Sequence, residues 1–283
     1  VDIRTPDPSY TPGRVIAVAG DVVRDMQEKI AKNGDKVFNV QGFGAKGDGV
    51  TDDTAAIQDT FNITQMDGGG IVFFPAGTYL IGSNITFPSN VTAQFSNGAK
   101  LLISNDVTVI FEGPVSAGLH RIFDGNGIVS IKNADIVYPQ WWGAIGNRDN
   151  DDTSAIQKAI EAIKPSSWDA VTQPKGGIVF LPPGTYRVTS PIILPAYVRL
   201  VGAGMFASEL FLSNGTNNDV IKTDGYDSFV GSGKSWYDTS GVPTGFGIES
   251  LCVYGNRFNN TSGGGIKIYG YNYVIKDVAI VHP

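Results

Sequence analysis

Two adjacent carboxylate pairs, Asp52-Asp53 and Asp151-Asp152, are the first residues of this 283-residue chain whose type and spacing invite chemistry. Neighbouring acids can divide the work of general acid and general base across a glycosidic bond. Both pairs, however, stand in the same setting. A Gly-rich turn precedes each, a threonine follows, and then comes an apolar-periodic stretch (Ala56, Ile57, Phe61; Ala155, Ile156, Ala159, Ile160, Ile163). Carboxylates so placed satisfy the first amides of a helix and complement its dipole. Asp52, Asp53, Asp151 and Asp152 therefore read as structural helix caps rather than catalysts.

A second concentration of chemistry lies in the stretch from Asp224 to Phe246, far longer than a turn between strands requires. Tyr226, Trp236 and Tyr237 offer aromatic faces on which sugar rings stack. Asp224, Asp227 and Asp238 are the candidate carboxylates there, able to accept hydroxyl hydrogen bonds or to protonate a glycosidic oxygen. The same aromatic composition suits contact with a neighbouring subunit, and both readings stay open. His120 and His282 stand alone in strand-like contexts and read as structural. No cofactor and no metal is implied.

The elements that must position these residues are announced by a repeat. Phe43-Gly-Ala-Lys-Gly-Asp-Gly-Val-Thr-Asp-Asp-Thr-Ala-Ala-Ile-Gln58 returns as Trp142-Gly-Ala-Ile-Gly-Asn-Arg-Asp-Asn-Asp-Asp-Thr-Ser-Ala-Ile-Gln157, with Gly44 to Gly143 and Asp52 to Asp151 each 99 positions apart. A second shared block, Gly70-Ile-Val-Phe-Phe-Pro-Ala-Gly-Thr-Tyr79, returns as Gly177-Ile-Val-Phe-Leu-Pro-Pro-Gly-Thr-Tyr186 at an offset of 107, so the second copy has a longer loop after its helix. Each copy reads as helix, turn, strand, turn, strand. Short β-rich runs punctuated by Gly, Asn, Asp and Pro follow each copy, for example Val91-Thr-Ala-Gln-Phe, Lys100-Leu-Leu-Ile, Glu209-Leu-Phe-Leu and Tyr273-Val-Ile-Lys-Asp-Val-Ala-Ile-Val. Asn-Gly pairs at 97, 126 and 214 are hairpin signals and argue for an antiparallel sandwich. Two helix-then-strand starts argue instead for stacked rungs. The expected fold is all-β, a right-handed parallel β-helix with a short capping helix at the start of each repeat.

Composition agrees. Gly 36 of 283 is well above the usual ~7%, and 17% charged residues falls below the usual ~25%, as tightly stacked, turn-dense coils require. A net charge of −6 argues against a nucleic-acid partner, and no apolar run is long enough for membrane insertion. The single Cys252 reads as a buried strand residue. The expected organisation is an extended lead and neck or capping helix over 1–36, a first β-helix segment over 37–140, and a second over 141–283 that continues beyond the chain end, since Tyr273–Pro283 reads as one more rung with no closing cap.

The doubled motif closely resembles the opening segment of the pectate-lyase-like right-handed β-helix superfamily. Within it, the degenerate second copy beginning Tyr138-Pro-Gln-Trp-Trp-Gly-Ala144 looks most like bacteriophage tailspikes and neck appendages. Fungal-type β-1,3-glucanases also carry two copies, but those head two full-length helices several hundred residues apart. The resemblance implies a protein that binds host cell-surface polysaccharide and depolymerises it, by hydrolysis or β-elimination, as a homotrimer. It further implies contacts to other virion proteins through the N-terminal region, and residence in the virion after assembly in the host cytoplasm. A non-catalytic receptor-binding virion module and a free-standing secreted glycanase or lyase are the alternatives. The polygalacturonase-type Asn-Thr-Asp, Gly-His-Gly and Arg-Ile-Lys strings and the calcium-dependent pectate lyase pattern are missing, so the catalytic residues are expected outside this chain or in the loop after Asp224.

Overall fold

The computed structural model describes residues 36–132, 134–165, 176–230 and 241–283. The N-terminal helix expected within residues 1–36, and Trp236, Tyr237 and Asp238, lie outside the described residues. Every strand pairing among the described residues is parallel, so the antiparallel sandwich is excluded and the chain is a parallel β-helix.

Each coil contributes one strand to each of three faces. In the first run, the first face stacks Val37–Asn39, Gly70–Phe74, Val91–Phe95 and Val115–Ser116. The second stacks Asp48–Asp52, Gly77–Ile81, Ala99–Ile103 and Phe123–Gly125, and the third Ile85–Phe87, Thr108–Phe111 and Ile128–Ile131. Alternation decides what faces inward. Val72, Phe74, Tyr79, Ile81, Phe87, Ala93, Leu101 and Phe111 are buried while their chain neighbours face out. In-register stacking turns inward aromatics into ladders: Phe74 lies 4.5 Å from Phe95 and Phe87 4.5 Å from Phe111, and at the end of the run Phe123 meets the tilted ring of Trp142 at 5.0 Å.

Helix α1 (Thr54–Met66) and helix α2 (Thr153–Ile163) each take the place of a third-face strand. For α2 the consequence is a break in the third face. One three-stranded sheet ends at Ile128–Ile131, and another begins with Ile192–Leu194 and continues through Ile221–Thr223 and Ile266–Lys267. Helix α2 packs on the strand before the break and the strand after it. The joint is closed on the other side by Trp141, whose carbonyl accepts from the Ile122 amide at 3.0 Å and whose Nε1 donates to the Gly118 carbonyl at 3.1 Å.

In the second run the first face holds Ile136–Val137, Ile178–Leu181 and Arg199–Gly202, and the second face Asn147–Asp151, Gly184–Val188 and Ser208–Leu212. Gly247–Tyr254 and Val274–Val281 are single eight-residue strands that serve both faces, bent at Ser250 (φ 53°) and Asp277 (φ 52°), where the pairing between them is interrupted. Val274, Ile275 and Ile280 on the last of them are exposed.

The two shared sequence blocks form one knot in three dimensions. The Asp53 carboxylate, buried, accepts from the amides of Lys46 (2.6 Å) and Gly47 (3.0 Å); Asp152 does the same for Ile145 (2.7 Å) and Gly146 (3.0 Å). Gly47 (φ 64°) and Gly146 (φ 67°) need glycine twice over, since a Cβ would also lie 3.0 Å from the ring of Tyr79 or Tyr186. Those tyrosines, from the downstream Pro-x-Gly-Thr-Tyr block, donate to the carbonyls of Pro75 (3.0 Å) and Pro182 (2.9 Å). Burial, reinforced by the adjacent Asp53 or Asp152, pushes each phenol up to about 12.

Candidate functional site

The paired aspartates are fully employed in this knot. Asp53 and Asp152 occupy the N-cap positions of α1 and α2, yet their carboxylates accept from the Gly-rich turn and not from the helix. Asp52 and Asp151 instead accept from the amide and hydroxyl of Thr54 and Thr153. Asp151 also accepts from Thr189 Oγ1 at 2.6 Å. Burial raises Asp151, but the hydrogen bonds from Thr153 and Thr189 outweigh it and hold the carboxyl below the usual aspartate value. For Asp152 burial wins over the amides of Ile145 and Gly146, and its pKa is raised.

The loop candidates meet a constellation on the third face of the second run. Strand Ile221–Thr223 buries Ile221 and Thr223, and alternation turns Lys222 outward, in register with Ile193 on one side and Lys267 on the other. The carboxylate of Asp219, 1% exposed, lies 3.4 Å from Lys222 Nζ and 3.2 Å from Lys267 Nζ. The chain then turns at Gly225 into the four-residue helix α3 (Tyr226–Phe229). This turn brings Asp227 to 3.1 Å from Lys222 and the Tyr226 ring to 5.9 Å from Lys267 Nζ. Burial opposes the charge on Lys222, but hydrogen bonds and attraction from Asp227 and Asp219 keep its ammonium above the ordinary lysine value. Phe229 stacks on Tyr269 with ring centres 5.4 Å apart, fixing the helix to the next coil.

Asp224 points elsewhere, pairing at 3.6 Å with Lys164 just after α2. Beside that helix runs an open groove of about 520 Å³, walled by Asp151, Ser154, Lys158 and Glu161 and floored by Pro191 and Ile193. Gln157 closes its inner side by donating to and accepting from the backbone of Ile193 (3.2 and 2.9 Å). The third face thus presents polar groups on both sides of an apolar patch at Pro191 and Ile193, those of α2 on one side and Lys222 and Lys267 on the other.

The structure brings Tyr226 and Asp227 together and sends Asp224 towards α2; Trp236, Tyr237 and Asp238 fall outside the described residues. Asp219, Lys222 and Lys267, the centre of the cluster, were not among the sequence candidates. The signal was present in the Ile-Lys pair at 221–222 and again at 266–267. Chemically the arrangement offers ammonium and carboxylate partners for hydroxyl and acidic groups beside an aromatic face.

The family described as "Rhamnogalacturonase A/epimerase, pectate lyase-like" matches residues 37–94 and 141–280. The chain belongs to this family. Over 129 residues it is 35% identical to mannuronan C5-epimerase AlgE2 of Azotobacter vinelandii, a match covering 43% of this chain and 11% of that protein. Over 121 residues it is 32% identical to alginate lyase 7 of the same organism, covering 40% and 13%. The chain therefore spans only about a tenth of the length of the curated relatives it matches. Among solved structures, ORF18 of Geobacillus virus E2 aligns over 88% of this chain and 53% of its own, at 20% identity and a TM-score of 0.31.

Proposed function

We propose that this chain is a host-surface polysaccharide-binding β-helix of the phage tailspike or appendage type. The observation that carries the reading is the Lys222–Asp219–Lys267 constellation with Tyr226 and Asp227 at the mouth of the long loop. A buried carboxylate that fixes two outward lysines costs desolvation, and a fold needing only a sealed coil has no use for it. Family membership and relatives named for action on mannuronan and alginate support a glycan as the ligand. The Tyr138-Pro-Gln-Trp-Trp-Gly-Ala144 start supports the virion setting, with a homotrimer joined to other virion proteins through the N-terminal region.

Attachment is favoured over cutting at this cluster. Both described candidate carboxylates are already engaged, Asp227 by Lys222 and Asp224 by Lys164. A glycosidic acid and its partner carboxylate must instead face a bound sugar from both sides. Purified protein incubated with host-cell polysaccharide separates the outcomes. Saturable binding without new ends is the expected result; new reducing ends mark hydrolysis, and ultraviolet absorbance from unsaturated ends marks β-elimination. Light scattering on the same sample gives the subunit number, expected to be three. Absence of binding to any host glycan overturns the reading.

A further inference from the structure

The second face of the later coils carries a solvent-side row on which nothing above depends. Register places Arg187 beside Phe211, and Phe211 beside Tyr254. The rings continue without a break: Phe211 to Tyr254 5.3 Å, Tyr254 to His282 5.3 Å, His282 to Phe258 4.8 Å. A guanidinium closes each end, Arg148 at 4.2 Å over Phe211 and Arg257 at 5.4 Å over Phe258. Exposure rises along the row: Phe211 is buried beneath Arg148, Tyr254 and His282 are half-buried, and Phe258 is 70% exposed, which the packing of a coil does not require.

Arg148 is the informative residue. Its φ is 71°, and the equivalent position of the first copy, 99 residues earlier, is Gly49 with φ 78°. The first copy uses the residue that the left-handed backbone favours; the second accepts the strain of a Cβ there and gains a guanidinium on the Phe211 face. Charge balance points the same way. Among the described residues Arg148 and Arg257 form no ion pair, whereas Arg187 donates to the Asp149 carbonyl and faces Asp151, and Lys222 and Lys267 are held by Asp219 and Asp227. Next to Arg257 opens a polar pocket of about 140 Å³ lined by Asn260, Thr261 and Ser262.

We propose that the row Arg148–Phe211–Tyr254–His282–Phe258–Arg257 is a second glycan-binding strip, selective for polysaccharides that carry carboxylates. Phe258, with the half-buried Tyr254 and His282, supplies aromatic surface for pyranose units, the buried Phe211 seats Arg148, and the guanidiniums of Arg148 and Arg257 supply forked donors that match carboxylate geometry. The inference rests on the reading that the chain binds polysaccharide, and it adds a location and a ligand charge.

The experiment titrates oligomannuronate (acidic), dextran oligosaccharide (neutral) and polyglutamate (acidic, without sugar rings) into the intact chain, Arg148→Gly, Phe258→Ala and Tyr226→Ala. Oligomannuronate is expected to bind more tightly than the other two. Arg148→Gly and Phe258→Ala should each weaken it about tenfold, the scale of one charged hydrogen bond or stacked ring. Arg148→Gly should melt no lower than the parent, because the glycine matches the backbone. Three results overturn the strip: unchanged oligomannuronate affinity in both strip variants, a lower melting temperature for Arg148→Gly with affinity intact, or equal affinity for polyglutamate. If Tyr226→Ala weakens glycan binding and the strip variants do not, only the strip falls. If no glycan binds the parent chain, the polysaccharide reading falls with it.

Discussion

The two runs of coils begin with the same knot and end with different surfaces. At the knot the copies match: Asp53 and Asp152 hold the turn amides, Gly47 and Gly146 admit Tyr79 and Tyr186, and Phe43 and Trp142 precede a left-handed glycine. Outward they part. The third-face row of the first run is Thr86, Ile110, Ser130, while that of the second is Ile193, Lys222, Lys267. Packing constrains the inside of every coil in the same way, and nothing in the stack dictates the outside. Charged and aromatic residues that recur outward in only one run are therefore the place to look for function.

The helices differ too. Helix α1 buries Thr60 and Thr64, whose hydroxyls donate back to the carbonyls of Ala56 and Thr60 (both 2.7 Å). Helix α2 buries Ala155, Ile156, Ala159, Ile160, Ala162 and Ile163, all apolar. The difference follows from position, since α2 is packed between two third-face strands, whereas α1 packs on its own coil (Val37–Asn39 and Val40–Phe43) and on strands that follow it, with a third-face strand, Ile85–Phe87, on one side only among the described residues.

If the second start is an interior joint, its aromatic should matter most. Trp142→Ala, which removes a buried ring tilted against Phe123 with centres 5.0 Å apart, should lower stability by about 3–5 kcal/mol. Phe43→Ala, at a half-buried site, should cost clearly less. Denaturant midpoints check both, and equal losses would break the distinction between start and joint.

Next come the shared carboxylates. Asp53→Ala and Asp152→Ala each strand two turn amides and should cost about 2–3 kcal/mol. Glycan affinity per folded molecule should not change. A large loss of binding at unaltered melting temperature would move these residues from scaffold to site.

Smaller still is Asp151→Ala, at about 1 kcal/mol, and it carries a pH signature. Because its folded pKa is lowered, its contribution is present above the unfolded value of about 3.9 and is lost as pH falls through the folded value. Asp152 has the opposite sign. Its raised folded pKa gives a contribution present below about 3.9 that is lost as pH rises through the folded value. Carboxyl carbon titration by NMR should place Asp151 below and Asp152 above the ordinary aspartate value.

The fold was legible because its signals are local and doubled: the turn, the Asp-Asp-Thr, the helix stripe and the Pro-x-Gly-Thr-Tyr block all fall within short windows. The Asn-Gly pairs were the one contrary signal, because a left-handed residue turns a coil corner as well as a hairpin, as Gly98 (φ 83°) and Gly215 (φ 69°) do here. The target of the Asp53 and Asp152 carboxylates was also hidden, since a carboxylate before a helix can bond forwards or backwards and spacing does not say which. The site was least legible. Asp219 and Lys267 are 48 positions apart and meet only because one coil lies on the next. Each alone reads as an ordinary strand-end charge.

The central claim, that function lies on the outward rows of the second run, is tested most directly by calorimetric titration of host polysaccharide into three proteins. These are the parent chain, the double variant Tyr226→Ala/Lys267→Gln, and the first-run control Thr86→Ala. The account predicts that the double variant keeps its fold and binds at least about tenfold more weakly, while the control binds as the parent does. Equal affinity in the parent and the double variant, with both folded, would contradict it.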